Sequence, residues 1–191
     1  MNHRLTRAEA EARRILAEAK AELQALGEPW DGYRVDVELI AVVKFGLWVQ
    51  RADLQVGQRN YAAFLNAQAR LIAVEESHHE HRQRFSIAHE LGHYVLHTCA
   101  KEDQDFFTCT PEDMEVVTDE TPEQARRTHL RQEWEANLFA GELLMPEAPL
   151  LAMFRATGGR ITAMAKHFNV SPQALEIRLS RLDLPFQPVL R

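Results

Sequence analysis

His89, Glu90 and His93 stand in the order His-Glu-x-x-His, inside a stretch, 85–97, that reads as helical. The histidines are four positions apart on the helix, so both imidazoles leave one face, about 40° apart around the axis. Two neutral imidazoles so placed can share one tetrahedral Zn²⁺. The intervening glutamate then lies where it can take a proton from water, which is metal-assisted hydrolysis with Glu90 as general base. The pentapeptide alone also occurs by chance on solvated helices, so its weight depends on a third ligand. A catalytic zinc takes three protein ligands and keeps one position open.

Downstream candidates for that ligand are His129, Glu133, Glu135 and Glu142. Glu133, Asn137 and Ala140 share a helical face, with a carboxylate, a small amide and an alanine suited to close packing beside a metal. Trp134, Leu138 and Phe139 are expected to be buried on a neighbouring face. Glu133 could ligate, while Asn137, one turn on, would orient a ligand. His97 continues the His93 face by one turn and is expected to support or pack against it. A second donor to the reacting oxygen is also expected. Tyr33, Tyr61, Tyr94 and His129 are the candidates, and the residues do not choose among them.

These side chains need elements to hold them. Thr6-Arg7-Ala8-Glu9 is a capping box opening a long first helix that stops at Gly27. Ile15, Leu16, Ala19, Leu23 and Leu26 form its apolar stripe. A short helix is predicted over 37–45, stopped by Gly46. Strand-like runs at 47–52, 61–66 and 69–74 predict a small antiparallel sheet. The motif helix is predicted over 82–98. An acidic stretch at 99–120 has no periodicity, and such long loops are often functional. Thr121-Pro122 then starts a helix ending near Pro146. Short helices are predicted at 150–156, 161–168 and 172–182, the last with Ser171 as N-cap. The fold class is thus α+β and mostly helical. A metallopeptidase domain spans 1–150, including the N-terminal helix 1–27, and a helix–turn–helix-like C-terminal subdomain, 151–191, packs on it.

The 191 residues suffice for one domain with a sizeable core, and 46% hydrophobic with 26% charged residues suits a soluble globular protein. A net charge of −6 gives no electrostatic case for broad nucleic-acid binding. Two cysteines, Cys99 and Cys109, imply no disulfide framework, which points to a reducing cytosol. No run reads as a signal peptide or membrane span, so a cytoplasmic protein is expected.

Two long segments resemble the ImmA/IrrE-type metallopeptidases. The first is Arg84-Phe85-Ser86-Ile87-Ala88-His89-Glu90-Leu91-Gly92-His93, ending near His97. The second is Glu133-x-x-Ala136-Asn137-x-Phe139-Ala140-x-x-Leu143-Leu144-Met145-Pro146. The tail around Phe168-Asn169-Val170-Ser171 is also similar. The resemblance implies a zincin-like fold with zinc held by His89, His93 and Glu133. It also implies a narrow protein substrate, commonly a helix–turn–helix transcriptional repressor cleaved after DNA damage or phage-related stress. Single-stranded DNA activates some members, so it is a candidate effector. The compact layout resembles the CapP-type regulators encoded beside bacterial anti-phage systems.

Cys109 sits in the long acidic stretch near Phe106, Phe107 and Pro111. A thiolate is a strong zinc ligand, so Cys109 could close the open position as a reversible off-switch; the plainer reading is an inert cysteine. Glu76-Ser77-His78-His79-Glu80-His81 reads as a solvated connection rather than a second metal site. In the tail, Arg178 and Arg181 stand against Glu176 and Asp183, which is poor for phosphate contact, so packing or protein docking is the better reading. Arg126, Arg127, Arg131, Arg155 and Arg160 offer a basic face for a nucleic-acid effector or ordinary surface charge. Two functions compete with a peptidase: a non-catalytic antirepressor that sequesters its partner, and a DNA-binding regulator using the tail.

Overall fold

The computed structural model describes residues 5–25, 27, 33–56, 59–98 and 122–187. Leu26, Cys99, Phe106, Phe107, Cys109, Pro111 and Thr121, named above from the sequence, lie outside the described residues.

Helix α1 (Arg7–Ala25) begins with the expected capping box. The Thr6 amide donates to Glu9 Oε2 at 2.9 Å and the Glu9 amide to Thr6 Oγ1 at 3.3 Å, satisfying two donors that a helix start leaves open. Ala8, Ala12, Ile15, Ala19 and Leu23 are buried along one stripe of α1, and Gly27 beyond it is left-handed at φ +78°. Helix α2 (Val37–Phe45) is capped by Asp36, which accepts from the Leu39 amide, and ended by left-handed Gly46.

Strands β1 (Trp48–Ala52), β4 (Ala63–Asn66) and β5 (Leu71–Glu75) form one sheet in the order β1-β5-β4. The α+β class is as expected, but the sheet is mixed rather than antiparallel throughout. β5 pairs antiparallel with β4, Ala63 opposite Val74, and parallel with β1, Trp48 opposite Leu71. Side-chain alternation reports which face a residue takes and nothing about strand direction. The connection that turns β1 parallel includes a ribbon of two residues a strand, β2 (Gln55–Val56) and β3 (Arg59–Asn60). Strands so short leave no pattern to read. The buried Glu75 carboxylate pins this region to the sheet by accepting from the Leu54 amide at 2.7 Å.

Helix α3 (Glu80–His93) continues as a π-helical turn, Tyr94–Thr98, where a regular helix to 98 was expected. Helix α4 (Pro122–Leu144) packs against both α3 and α1. The α3–α4 crossing is close because Gly92 faces Ala136. A Cβ on Gly92 would sit 3.1 Å from Ala136 Cα and 3.2 Å from Phe139 Cβ, tighter than ordinary side-chain packing. This crossing brings the motif histidines to α4. Phe139 is fully buried and Leu138 partly so, but Trp134, expected to be buried, is 50% exposed under the Arg181 guanidinium. It lies on the outer side of α4, which only the packing of α7 defines.

The tail forms α5 (Glu147–Thr157), α6 (Ile161–Phe168) and α7 (Pro172–Arg181), with Ser171 capping α7 through the Ala174 amide at 3.1 Å. Arg178, one of the two cations offered by the apparent recognition helix, points inward. It is 3% exposed and pairs with Glu9 of α1 at 3.0 Å and with Glu142 of α4. The other, Arg181, reaches Glu9 at 3.4 Å. Arg178 is thus committed to carboxylates inside the protein. At the far end, Asn169 accepts from Arg84 Nε through its carbonyl at 3.2 Å and meets His81 Nε2 at 3.1 Å. The tail thus buttresses the start of α3. No helix among the described residues is long and apolar enough to cross a membrane.

Candidate metal centre

His89 and His93 leave α3 on the face that meets α4, as their spacing requires, and Glu133 of α4 comes to meet them. His89 Nε2 and His93 Nε2 are 3.0 Å apart. Glu133 places Oε2 at 3.3 Å from His89 Nε2 and Oε1 at 3.1 Å from His93 Nε2. Zinc about 2.0–2.1 Å from each of three tetrahedral ligands would set those ligands about 3.3 Å apart. The three donors therefore form one face of such a tetrahedron. Among the described residues they are the one group of this kind that could hold a metal ion. Two imidazoles and a carboxylate suit zinc by type as well as by spacing.

The electrostatics agree. Burial alone would raise the Glu133 carboxyl, but hydrogen bonds from His89 and His93 outweigh it and hold the group far below the usual carboxylate range. Burial would lower His89, and the Glu133 hydrogen bond with the nearby Glu90 charge holds it above its ordinary value instead. His93 is lowered, first by burial and then by its histidine neighbours. Two carboxylates thus face a half-buried point that calls for positive charge.

Each imidazole is gripped from behind. His89 Nδ1 lies 3.1 Å from Asn137 Oδ1, one turn beyond Glu133. His93 Nδ1 lies 3.1 Å from His97 Nδ1. Of the remaining carboxylates weighed as ligands, Glu135 pairs with His97 at 3.0 Å and Glu142 with Arg178 and Arg13, so neither reaches the cluster.

Glu90 is 2% exposed and lines a cleft of about 280 Å³ together with His89 and Glu133. Ala62, Ala63, Arg82, Phe85 and Ser86 complete the wall. Tyr33 packs on His167 and Phe168 with ring centroids 4.7 and 5.9 Å away, and Tyr94 packs edge-on to Phe45 at 5.7 Å. Neither is among the residues lining the cleft, and neither is His129, one turn before Glu133. Tyr61 directly precedes the lining residues Ala62 and Ala63, its amide donating to Leu54 O at 3.3 Å. Arg82 and Ser86 were missed by the sequence reading. Their signal was available, since 82, 86, 89 and 93 share one helical face. His79, in the histidine-rich connection, caps α3 by accepting from the His81 amide at 3.2 Å.

Comparison with known proteins adds to this geometry. The family model of the peptidase M78 IrrE N-terminal-like domain matches residues 43–180. No curated protein matches this sequence. Among solved structures, a Mycobacterium tuberculosis transcriptional regulator is similar in fold, with a TM-score of 0.63 at 18% identity over 97% of this chain. The chain spans 50% of that protein's length.

Proposed function

Because the chain belongs to the peptidase M78 family of IrrE N-terminal-like domains, we propose that it is a zinc-dependent endopeptidase acting on a regulatory protein. The observation that carries this reading is the convergence of His89, His93 and Glu133 at 3.0–3.3 Å beside Glu90 in one cleft. Zinc, when bound by these three residues, would polarise a peptide carbonyl and make water at neutral pH a usable nucleophile. Glu90 would accept the proton of that water and return it to the leaving amine. Asn137 would hold the His89 ring against tilting. β4 is an edge of the sheet and its Ala63 lines the cleft, so an extended substrate could pair with this strand.

The family resemblance supports finer assignments: a helix–turn–helix repressor as substrate, single-stranded DNA as effector, and a role in anti-phage or DNA-damage responses. The cysteine content supports a cytoplasmic setting, and the strength of a thiolate as zinc ligand supports closure of the site by Cys109. The test is co-incubation of zinc-loaded protein with a repressor encoded beside its gene. Cleavage is expected, and both Glu90→Gln and a chelator should abolish it while Glu90→Gln retains zinc. Full cleavage by zinc-loaded Glu90→Gln sinks the role of Glu90. Sequestration of the repressor without cleavage, indifferent to chelator, would favour an antirepressor. Basal cleavage equal in Cys109→Ala and wild type would remove the switch.

A further inference from the structure

The cleft beside Glu90 has two unlike walls. Ala62 and Ala63, at the edge strand β4, offer only backbone and methyl groups. α3 offers functional side chains, among them Arg82, Phe85, Ser86 and His89. Most charged groups around the start of α3 are already engaged. Arg34 pairs with Glu80 at 3.0 Å, Arg51 pairs with Glu38, and the buried Arg84 donates to the carbonyls of Val35 and Asn169. The Glu75 carboxylate accepts from the Leu54 and Ser77 amides. Arg82 differs from these. It is exposed, it lines the cleft, and its guanidinium has no hydrogen bond or ion pair with another described residue. Its charge is felt by His78, an imidazole lowered first by burial and then by Arg82.

Arg82 is seven positions before His89. Seven residues carry a helix through almost two full turns and about 10 Å along its axis. The cation therefore stands on the same side of α3 as His89, about 10 Å from it. An extended chain advances about 3.3 Å per residue. A peptide lying in the cleft with its cleaved bond at His89 passes Arg82 about three residues from that bond.

We propose that Arg82 is a specificity determinant that selects a substrate segment with an aspartate or glutamate about three residues from the cleaved bond. The proposal rests on the peptidase reading above and names the class of segment its cleft takes. An unpaired guanidinium attracts a carboxylate by charge and grips it with paired N–H donors. Ser86, one turn nearer His89 on the same wall, adds a hydroxyl, and Phe85 adds apolar surface for the intervening residues. The chain as a whole carries −6 and repels acidic segments. Acid is therefore favoured at Arg82 by a local cation, against the overall charge.

The test uses the zinc-loaded full chain and a library of ten-residue peptides randomised at every position. Glu90→Gln captures peptides without cutting them, and the wild type reports the bonds cut, both read by mass spectrometry. Aspartate and glutamate should be enriched about five- to tenfold at one position, about three residues from the cut. Arg82→Lys should keep that enrichment, Arg82→Ala should erase it, and Arg82→Glu should replace it with lysine and arginine. Zinc affinity, measured by chelator competition, should be the same in all three, and an exposed position leaves the fold intact. Cleavage with no acidic enrichment, or with the same enrichment in Arg82→Ala, overturns the proposal and leaves the peptidase reading standing. Capture of acidic peptides that Arg82→Ala loses, with no bond cut by the wild type, overturns the peptidase reading and leaves the carboxylate subsite standing. A library neither captured nor cut overturns both.

Discussion

Glu133 and Glu142 lie on the same helix, each facing basic side chains from another part of the chain, and they have opposite environments. Glu142 meets guanidinium groups. Arg178 of α7 and Arg13 of α1 supply its positive charge, and Glu9 shares Arg178, so that cluster is neutralised by the protein itself. Glu133 meets two imidazoles, groups that are charged only when protonated and whose Nε2 atoms converge 3.0 Å apart beside it. The first arrangement is a rivet through three helices. The second is a half-buried cup of donors with Glu90 at its rim. A glutamate on a buried helix face therefore says little by itself. What decides its role is whether the partner brings a permanent cation or a lone pair.

The comparison breaks most sharply in paired variants. Glu133→Gln should abolish tight zinc binding, read by chelator competition, with the melting temperature of the metal-free chain little changed. Glu142→Gln should do the reverse. Removing one member of a buried pair costs about 3–5 kcal/mol, seen as a lower urea midpoint, while folded protein still binds zinc. Equal loss of zinc in both variants would dissolve the distinction.

A smaller effect is expected at the crossing that serves both clusters. Gly92→Ala puts a methyl 3.1 Å from the Ala136 backbone, and overpacking of this kind costs about 1–3 kcal/mol. Because α3 and α4 must part slightly, zinc affinity should fall along with stability. Stability lost at unchanged affinity would show that the cup tolerates the shift.

The last effect concerns acid. Burial pushes the Glu9 carboxyl up, but hydrogen bonds from Thr6 and then from Arg181 and Arg178 outweigh it and hold it at about 2, below the ordinary 4.5. A depressed carboxyl adds stability that is full above the unfolded value and disappears as pH falls through the folded one. The Glu9 contribution should therefore be complete above pH 4.5 and lost between there and about 2. Melting curves of Glu9→Gln and wild type should converge across that window, and parallel curves would show that Glu9 is not the group responsible.

Much of this molecule is legible in the chain, and particular residues show why. The capping box at Thr6–Glu9, the left-handed stops at Gly27 and Gly46 and the Ser171 cap are local contacts, so local sequence suffices for them. Asn137 is legible because one turn of helix from Glu133 is a fixed displacement. The parallel pairing of β1, the exposure of Trp134 and the inward turn of Arg178 are not, since each depends on what packs alongside. Nor is the π turn, because nothing in Tyr94–Thr98 marks a change of helical pitch.

By itself the sequence determined the chemistry on offer: two imidazoles one turn apart with a glutamate between them, and a downstream helix with a carboxylate and an amide on one face. Helical periodicity is a property of the chain alone, so those faces were set before any packing. Tertiary structure decided which carboxylate completes the group. Four candidates stood in one helical run, and only the close crossing of Gly92 over Ala136 brings Glu133 to the histidines while Glu135 is left to His97 and Glu142 to Arg178. Distances across a helix crossing depend on how two surfaces mesh, and no spacing along one strand of sequence contains them.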